Sequence, residues 1–353
     1  MLLIPALCRT IVEPPEIIFI CGSHKSGTTL LKSLFDGHKD IFAIPFETHI
    51  IKALGKWVYY PLNKQKPIDR DLDQVKEKLI EHVAVFNAIE NDEMGGVGNM
   101  NLFEKFDLEF IKNYLDKDYM SIPELIIDYF KAIYLSMKNG KRVWDKSIIV
   151  EKTVGQSEYA VFLKKMFPKA KFIHILRNPY SNLVSIRRYS EARLGTYPPI
   201  YPIIDALEFS TYMLEKNKDL MNEDYSVIKY ENLLMEPEKT IQDLCYFLGV
   251  EFSPILMKPT VNGEPWVGNS SRGEKFRGIE PSNLDKWKKE ITSLEIEWIN
   301  LRLRHVLEDN GYPIIGNRKS PWRRMKGERL KTFFVNRMAF RLDKIKYSDS
   351  FPE

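Results

Sequence analysis

The sequence predicts an α/β fold: a parallel sheet flanked by helices, with a helical insertion and a C-terminal helical tail. Three observations carry this. Short strand-like runs recur at residues 17–21, 41–44, 148–150, 172–176 and 226–230, stretches of helical spacing separate them, and the first run ends in a glycine-containing loop that opens a helix. Continuous apolar runs suit strands covered on both faces, as in parallel sheets. Strands alternating with helices point to a doubly wound sheet, whose ligands sit outside the carboxyl ends of the strands.

Taken in order, Ile17-Ile18-Phe19-Ile20-Cys21 lies between Pro14-Pro15 and Gly22 and is the expected central strand. A helix is predicted from Ser26 to Thr28 onward, because Leu30, Leu31, Leu34 and Phe35 recur at helical spacing up to Asp36-Gly37. Ile41-Phe42-Ala43-Ile44 then ends at Pro45 and delivers Phe46-Glu47-Thr48-His49 beyond its carboxyl end. Residues 65–140 alternate charged and apolar positions at helical spacing, with a break at Gly95-Gly96-Val97-Gly98, and read as a helical insertion. The α/β rhythm resumes at Ile148-Ile149-Val150, followed by a helix over 159–167, the strand 172–176 and a helix opened by Pro179. The strand 226–230 precedes a helix from Pro237 to Leu248-Gly249. A long helical pattern over 284–307 and a basic tail from Arg318 close the chain.

With 353 residues and 44% hydrophobic content, the chain suits one α/β domain over 1–317 carrying an insertion, with 318–353 as a separate tail. A net charge of +4 against 28% charged residues does not by itself argue for a polyanionic partner. Cys8, Cys21 and Cys245 lie far apart, without metal or redox spacing, which suits a reducing compartment rather than a disulfide framework. Residues 1–7 are apolar but short and lack a basic flank, so they read poorly as a signal peptide. No segment approaches the roughly 20 apolar residues of a membrane span. The expectation is a cytoplasmic protein, peripheral to a membrane at most.

Gly22-Ser23-His24-Lys25-Ser26-Gly27-Thr28-Thr29 follows a strand and opens a helix, so its backbone N–H groups can converge on a phosphate in a P-loop-like manner. The usual ATP loop places Lys directly after the second Gly and then Ser or Thr for Mg²⁺. Here Lys25 precedes Gly27 by two residues and Thr28 takes the Lys position. Where a nucleotide triphosphatase often carries an acidic Mg²⁺ partner at a strand end, this chain has Arg177. A cation there repels a metal and suits a second phosphate centre. The six histidines show no paired metal spacing, and no metal site is expected.

These residues resemble the cytosolic and Golgi sulfotransferase family. Lys25-Ser26-Gly27-Thr28-Thr29 looks like its 5′-phosphosulfate loop, and Arg177 with Ser185 is similar to its 3′-phosphate pair. The likeness extends to Glu151-Lys152-Thr153, to residues 167–172, to Lys229-Tyr230-Glu231-Asn232-Leu233 with Pro237, and to residues 283–287. It implies a sulfotransferase fold, 3′-phosphoadenosine 5′-phosphosulfate (PAPS) as cosubstrate, and 3′-phosphoadenosine 5′-phosphate (PAP) as product. Residues 37–48 look closest to the tyrosylprotein and glycan-modifying branch, with Glu47 as its carboxylate. The His of the small-molecule Lys-Thr-His segment is replaced by Val154.

On this resemblance Glu47 is the base, and Lys25 and Lys152 flank the bridging oxygen. Ser26, Gly27, Thr28 and Thr29 hold the 5′-phosphate, Arg177, Ser185, Ser271 and Arg272 the 3′-phosphate, and Tyr230 the adenine. Each has a structural alternative: Glu47 as a solvated residue, Lys152 as a surface residue, Ser185 bonded to its own backbone, Tyr230 as a buried aromatic. His49 is placed to line an acceptor pocket. Arg187 and Arg188 meet either the 3′-phosphate, an acidic acceptor or solvent. Residues 263–272 are expected to form a loop over the cofactor.

Beyond Arg318, basic residues interleave with apolar ones that fall on one helical face. Such a helix lies on an anionic membrane, or packs on the domain or a second subunit of a homodimer. No nucleic-acid-binding motif accompanies it. The expected acceptor is a hydroxyl on a carbohydrate or glycolipid, with protein tyrosine second. An ATP-dependent phosphotransferase and an inactive nucleotide-binding module are the readings from other classes.

Overall fold

The computed structural model describes residues 14–56, 68–88, 106–137, 142–268, 275–276 and 278–316. Five strands form one parallel sheet in the order β2-β3-β1-β4-β5. They are β1 (Glu16–Gly22), β2 (Ile41–Ala43), β3 (Ile148–Lys152), β4 (Lys171–Leu176) and β5 (Tyr225–Lys229). The strand expected at the centre is at the centre. β1 pairs with β3 on one side, Ile20 opposite Lys152, and with β4 on the other, Gly22 opposite Ile175.

The continuous apolar run of β1 has the predicted cause. Ile17, Phe19 and Cys21 face one hydrophobic cluster, Ile18 and Ile20 the opposite one, as strand alternation requires when both faces are covered. The first cluster is roofed by the insertion, whose helices are α3 (Leu72–Ala88), α4 (Leu108–Leu115) and α5 (Ile122–Ser136). Val75, Leu79, Val83 and Phe86 of α3 and Leu125, Ile126, Tyr129, Phe130 and Ile133 of α5 enter that core. Ser121 and Asp107 cap their helices by accepting from the N3 amides Glu124 and Phe110. The other face is covered by α1 (Thr28–Phe35) and α10 (Pro237–Leu248), which contribute Leu31, Leu34, Phe35, Ile241 and Leu244.

Shorter elements complete the connections: α2 (Ile50–Ala53), α6 (Ala160–Met166), α7 (Pro179–Leu194) and α9 (Tyr230–Met235). One long helix is not announced by the sequence, α8 (Ile200–Met221). Prolines 198, 199 and 202 make its start look like a loop, but Pro202 lies in the first turn, where no intrahelical N–H is needed. The pattern over 284–307 is also not one helix. It breaks before Thr292, which forms a capping box with Glu295 to start α11 (Ser293–Arg302), followed by α12 (Arg304–Asp309).

The described residues fall into two compact units, with the boundary between Glu290 and Ile291. The larger contains the whole sheet. In the smaller, Asn300 Nδ2 donates to the carbonyl of Ile315 at 2.9 Å. The glycine break at 95–98, Ser271, Arg272 and the basic tail lie outside the described residues.

Candidate active site

All five strands deliver a residue to one cavity at their carboxyl ends. It has a volume of about 310 Å³ and is lined by the loop after β1, Glu47 after β2, Lys152 at the end of β3, Arg177 after β4 and Tyr230 after β5. The parallel sheet makes this convergence necessary, because every strand ends on the same side.

The loop from Gly22 to Thr29 is shaped by backbone that most residues avoid. Gly27 has φ +108°, and a Cβ there would lie 2.3 Å from Cδ2 of Tyr230. Glycine therefore satisfies both the conformation and the close approach of the tyrosine ring. Lys25 is also left-handed, at φ 58°. Its carbonyl accepts from Arg177 Nη1 at 2.7 Å, and its ammonium lies 4.2 Å from the centroid of Tyr189. Thr28 and Thr29 line the cavity. Ser26 does not: its hydroxyl is buried and donates to the carbonyl of Ser23 at 2.8 Å, closing the loop on itself.

Arg177 is locked rather than loose. Nε and Nη2 donate to Ser181 Oγ at 3.1 and 2.9 Å, and the guanidinium lies 4.5 Å from the centroid of Tyr230. Tyr230 is thus neither an ordinary strand residue nor an isolated platform, since it opens α9 and ties Arg177 to Gly27. Ser185, Tyr189 and Arg193 lie four residues apart on α7 and all line the cavity, as one helix face dictates. That spacing from Ser185 is the signal by which the last two, absent from the residues expected above, could be found. Arg187 and Arg188 turn elsewhere: Arg187 Nη2 donates to the carbonyl of Glu290 at 3.0 Å, and Arg188 pairs with the Glu290 carboxylate.

Glu47 forms a short ion pair with Lys152. Burial pushes its carboxyl up, but the charge and hydrogen bond of Lys152 outweigh this and hold it at about 2. The segment carrying Glu47 is fixed from β3. Glu151 is fully buried and accepts from Thr48 Oγ1 at 2.7 Å, Thr153 Oγ1 at 2.6 Å and the amide of Gln156. Desolvation raises the Glu151 pKa, although the hydroxyl and amide donors oppose it. Because side chains alternate along a strand, Glu151 and Thr153 grip the backbone while Lys152 enters the cavity.

Two more groups complete this end. Lys32, one turn beyond Thr28, donates to the carbonyl of Pro45, and burial followed by repulsion from Lys152 lowers its pKa to about 7. His82, from the insertion, sits 2.7 Å from the Glu47 carbonyl and edge-on to His49, with ring centroids 5.1 Å apart. Neither is legible as a site residue in the sequence, because both act across long sequence separations. Phe46, Phe86, Trp266 and Phe276 supply an aromatic wall. The buried indole N–H of Trp266 has no hydrogen-bond partner among the described residues.

This glycine loop, with cations on two further strand ends, a carboxylate on a third and a tyrosine on the fourth, agrees with what comparison finds. Residues 15–254 match the family model described as "Sulfotransferase family". The chain belongs to the sulfotransferase family. Among curated relatives of this sulfotransferase-family chain is nodulation protein NoeE of Sinorhizobium fredii, 23% identical over 314 residues, covering 83% of this chain and 65% of that protein. An omega-hydroxy-beta-dihydromenaquinone-9 sulfotransferase of Mycobacterium tuberculosis is 24% identical over 263 residues, covering 68% of this chain and 64% of that one. The chain spans from 30% to 65% of the length of the curated relatives it matches. The sulfotransferase domain from the curacin biosynthetic pathway aligns with a TM-score of 0.51 at 21% identity, over 85% of this chain and 99% of that domain, which shows the shared fold.

Proposed function

We propose that this chain transfers a sulfuryl group from PAPS to an acceptor hydroxyl. The observation that carries the reading is the placing of Glu47, Lys152 and Lys25 on the wall of the same cavity as the glycine loop. The residues present fit the donor. The cradle at Gly27, Thr28 and Thr29 suits a 5′-phosphate, and Arg177 with Ser185 suits the 3′-phosphate that separates PAPS from ordinary adenylates. Ser271 and Arg272 remain proposed 3′-phosphate contacts, and Ser26 contributes by shaping the loop. Tyr230 borders the cavity where an adenine ring can lie against it.

In the proposed reaction the acceptor oxygen attacks sulfur in line, a new S–O bond forms, and the bond to the bridging phosphate oxygen breaks. PAP leaves with the electron pair, its charge met by Lys25 and Lys152, while the hydroxyl proton passes to the carboxylate side of the cavity at Glu47. Arg177 stands where a phosphotransferase would place an acidic Mg²⁺ partner, which favours the metal-independent reading over ATP chemistry.

For the acceptor we propose a carbohydrate or glycolipid hydroxyl, with protein tyrosine as the second reading. The aromatic wall beside Glu47 supports an acceptor with an apolar face or tail, and one relative is named for an omega-hydroxylated menaquinone. The basic amphipathic sequence of 318–353 supports a cytoplasmic enzyme working at an anionic membrane surface.

Calorimetric titration tests the donor. PAP should bind without metal and more tightly than 5′-AMP or Mg²⁺-ATP; selective Mg²⁺-dependent ATP binding would turn the assignment to a kinase. Labelled PAPS offered with an alkyl glycoside, a long-chain alcohol and a tyrosyl peptide then ranks the acceptor classes.

A further inference from the structure

Glu47 alone is an awkward resting place for a proton. Its carboxylate is ion-paired with Lys152, whose side chain is only 4% exposed. The same charge that makes Glu47 available as an anion makes it weakly basic. A second base stands beside it. His49 Nε2 lies 3.9 Å from Glu47 Oε2, the two side chains are 22% and 26% exposed, and both line the cavity.

His49 is held in place by several independent contacts. Its backbone is left-handed, at φ 49°, a conformation that costs a non-glycine residue energy unless its surroundings impose it. Its N–H donates to Thr153 Oγ1 at 3.3 Å, and Thr153 is itself held by Glu151. The ring meets His82 edge-on at 5.1 Å, and His82 is in turn seated on the Glu47 carbonyl at 2.7 Å. A strained residue pinned by this many partners, facing the reacting cavity, is positioned for a purpose beyond packing.

We infer that His49 is the terminal proton acceptor of the reaction, forming a dyad with Glu47 in which the carboxylate orients the hydroxyl and steadies the imidazolium. This rests on the sulfuryl-transfer reading. As the acceptor oxygen bonds to sulfur, its proton passes through Glu47 to the imidazole, the S–O bond to PAP breaks, and His49 leaves the step as a cation beside an anion. The imidazole is ready for this because it is neutral beforehand: burial lowers its pKa to about 4, with Glu47 opposing and Lys52, His82 and Lys152 reinforcing the shift. The groups that bear on it are therefore Glu47, Lys52 of α2, His82 of α3 and Lys152 of β3.

The test uses the full chain, ³⁵S-labelled PAPS and octyl glucoside, with water as the acceptor and labelled sulfate release as the readout if the glucoside is not sulfated. Asn tolerates left-handed backbone and cannot take the proton, so His49→Asn should lower kcat by about 10²-fold with PAP affinity unchanged. The acid limb of its kcat/KM profile should move down from near pH 4. His49→Gly keeps the backbone and opens space for imidazole, which should restore turnover as the free base. Turnover by the His49→Asn variant within about threefold of wild type, or a loss in His49→Gly that imidazole does not rescue, would overturn the relay. Absence of PAP binding by the wild-type chain would instead remove the sulfuryl-transfer reading beneath it.

Discussion

Separating Lys152 from Glu47 should expose how strongly the fold depends on this ion pair. Folding depresses the Glu47 pKa to about 2, whereas an unfolded Glu titrates near about 4.3. The stabilisation is therefore fully present above about pH 4.3 and is lost as pH falls through about 2; at roughly 1.4 kcal/mol per pH unit it amounts to about 3 kcal/mol. Glu47→Gln leaves a lysine that is 4% exposed without its counter-ion, and Lys152→Met leaves a partly buried carboxylate. Each should cost about 2–4 kcal/mol, while the double variant should recover about 2–3 kcal/mol of the summed loss, because neither charge is then stranded. Urea denaturation of the four proteins at pH 7, followed by wild type and Glu47→Gln from pH 6 to 2.5, measures both effects. Additivity of the two single losses within about 0.5 kcal/mol, or the same acid limb in wild type and Glu47→Gln, would refute the pairing and the pKa argument together.

Further outcomes follow from other contacts. Gly27→Ala forces a Cβ to within 2.3 Å of the Tyr230 ring at a backbone angle of +108°, so it should cost about 2–4 kcal/mol in melting experiments and weaken PAP severely in calorimetry. Arg177→Ala should weaken PAP much more than adenosine 5′-phosphosulfate; equal losses would contradict a 3′-phosphate role. Arg188→Ala should leave PAP affinity unchanged within the error of titration, because Glu290 already engages that guanidinium. Glu151→Ala strands the donors of Thr48, Thr153 and Gln156 in a buried site, with an expected cost of about 3–5 kcal/mol and a fall in kcat. Deleting residues 318–353 should abolish binding to anionic vesicles in a flotation assay if the tail is the membrane contact.

The strands are legible in the sequence because each is short, apolar and bounded, and the loop after β1 is legible because glycine and threonine positions repeat a known geometric need. What the residues do beyond their own element is harder to see. Ser26 lies within the motif yet spends its hydroxyl on Ser23. Arg177 carries the expected charge, but its guanidinium donates to the hydroxyl of Ser181, four residues on, while Ser185 lies a further turn along α7. Lys32 and His82 reach the cavity through helix faces whose orientation only packing decides. The helix α8 is concealed for the opposite reason: its prolines are strong local signals, harmless at a helix start, and its burial depends on partners distant in sequence.

The short run Glu151-Lys152-Thr153 shows how one strand end can serve two tasks. In sequence it looks like a single functional triplet. In the sheet, alternation turns Glu151 and Thr153 toward residues 48 and 49, and Lys152 toward Glu47. The Glu47 carboxylate and its histidine neighbour are thus registered against the lysine by hydrogen bonds that residues 48 and 49 donate to the residues immediately before and after that lysine. A shift of this strand by one residue would exchange the two sets of side chains, removing the cation from the cavity and the grip from the loop at the same time. The parallel pairing of β3 between β1 and β2 therefore fixes the geometry of the candidate site as directly as it fixes the core.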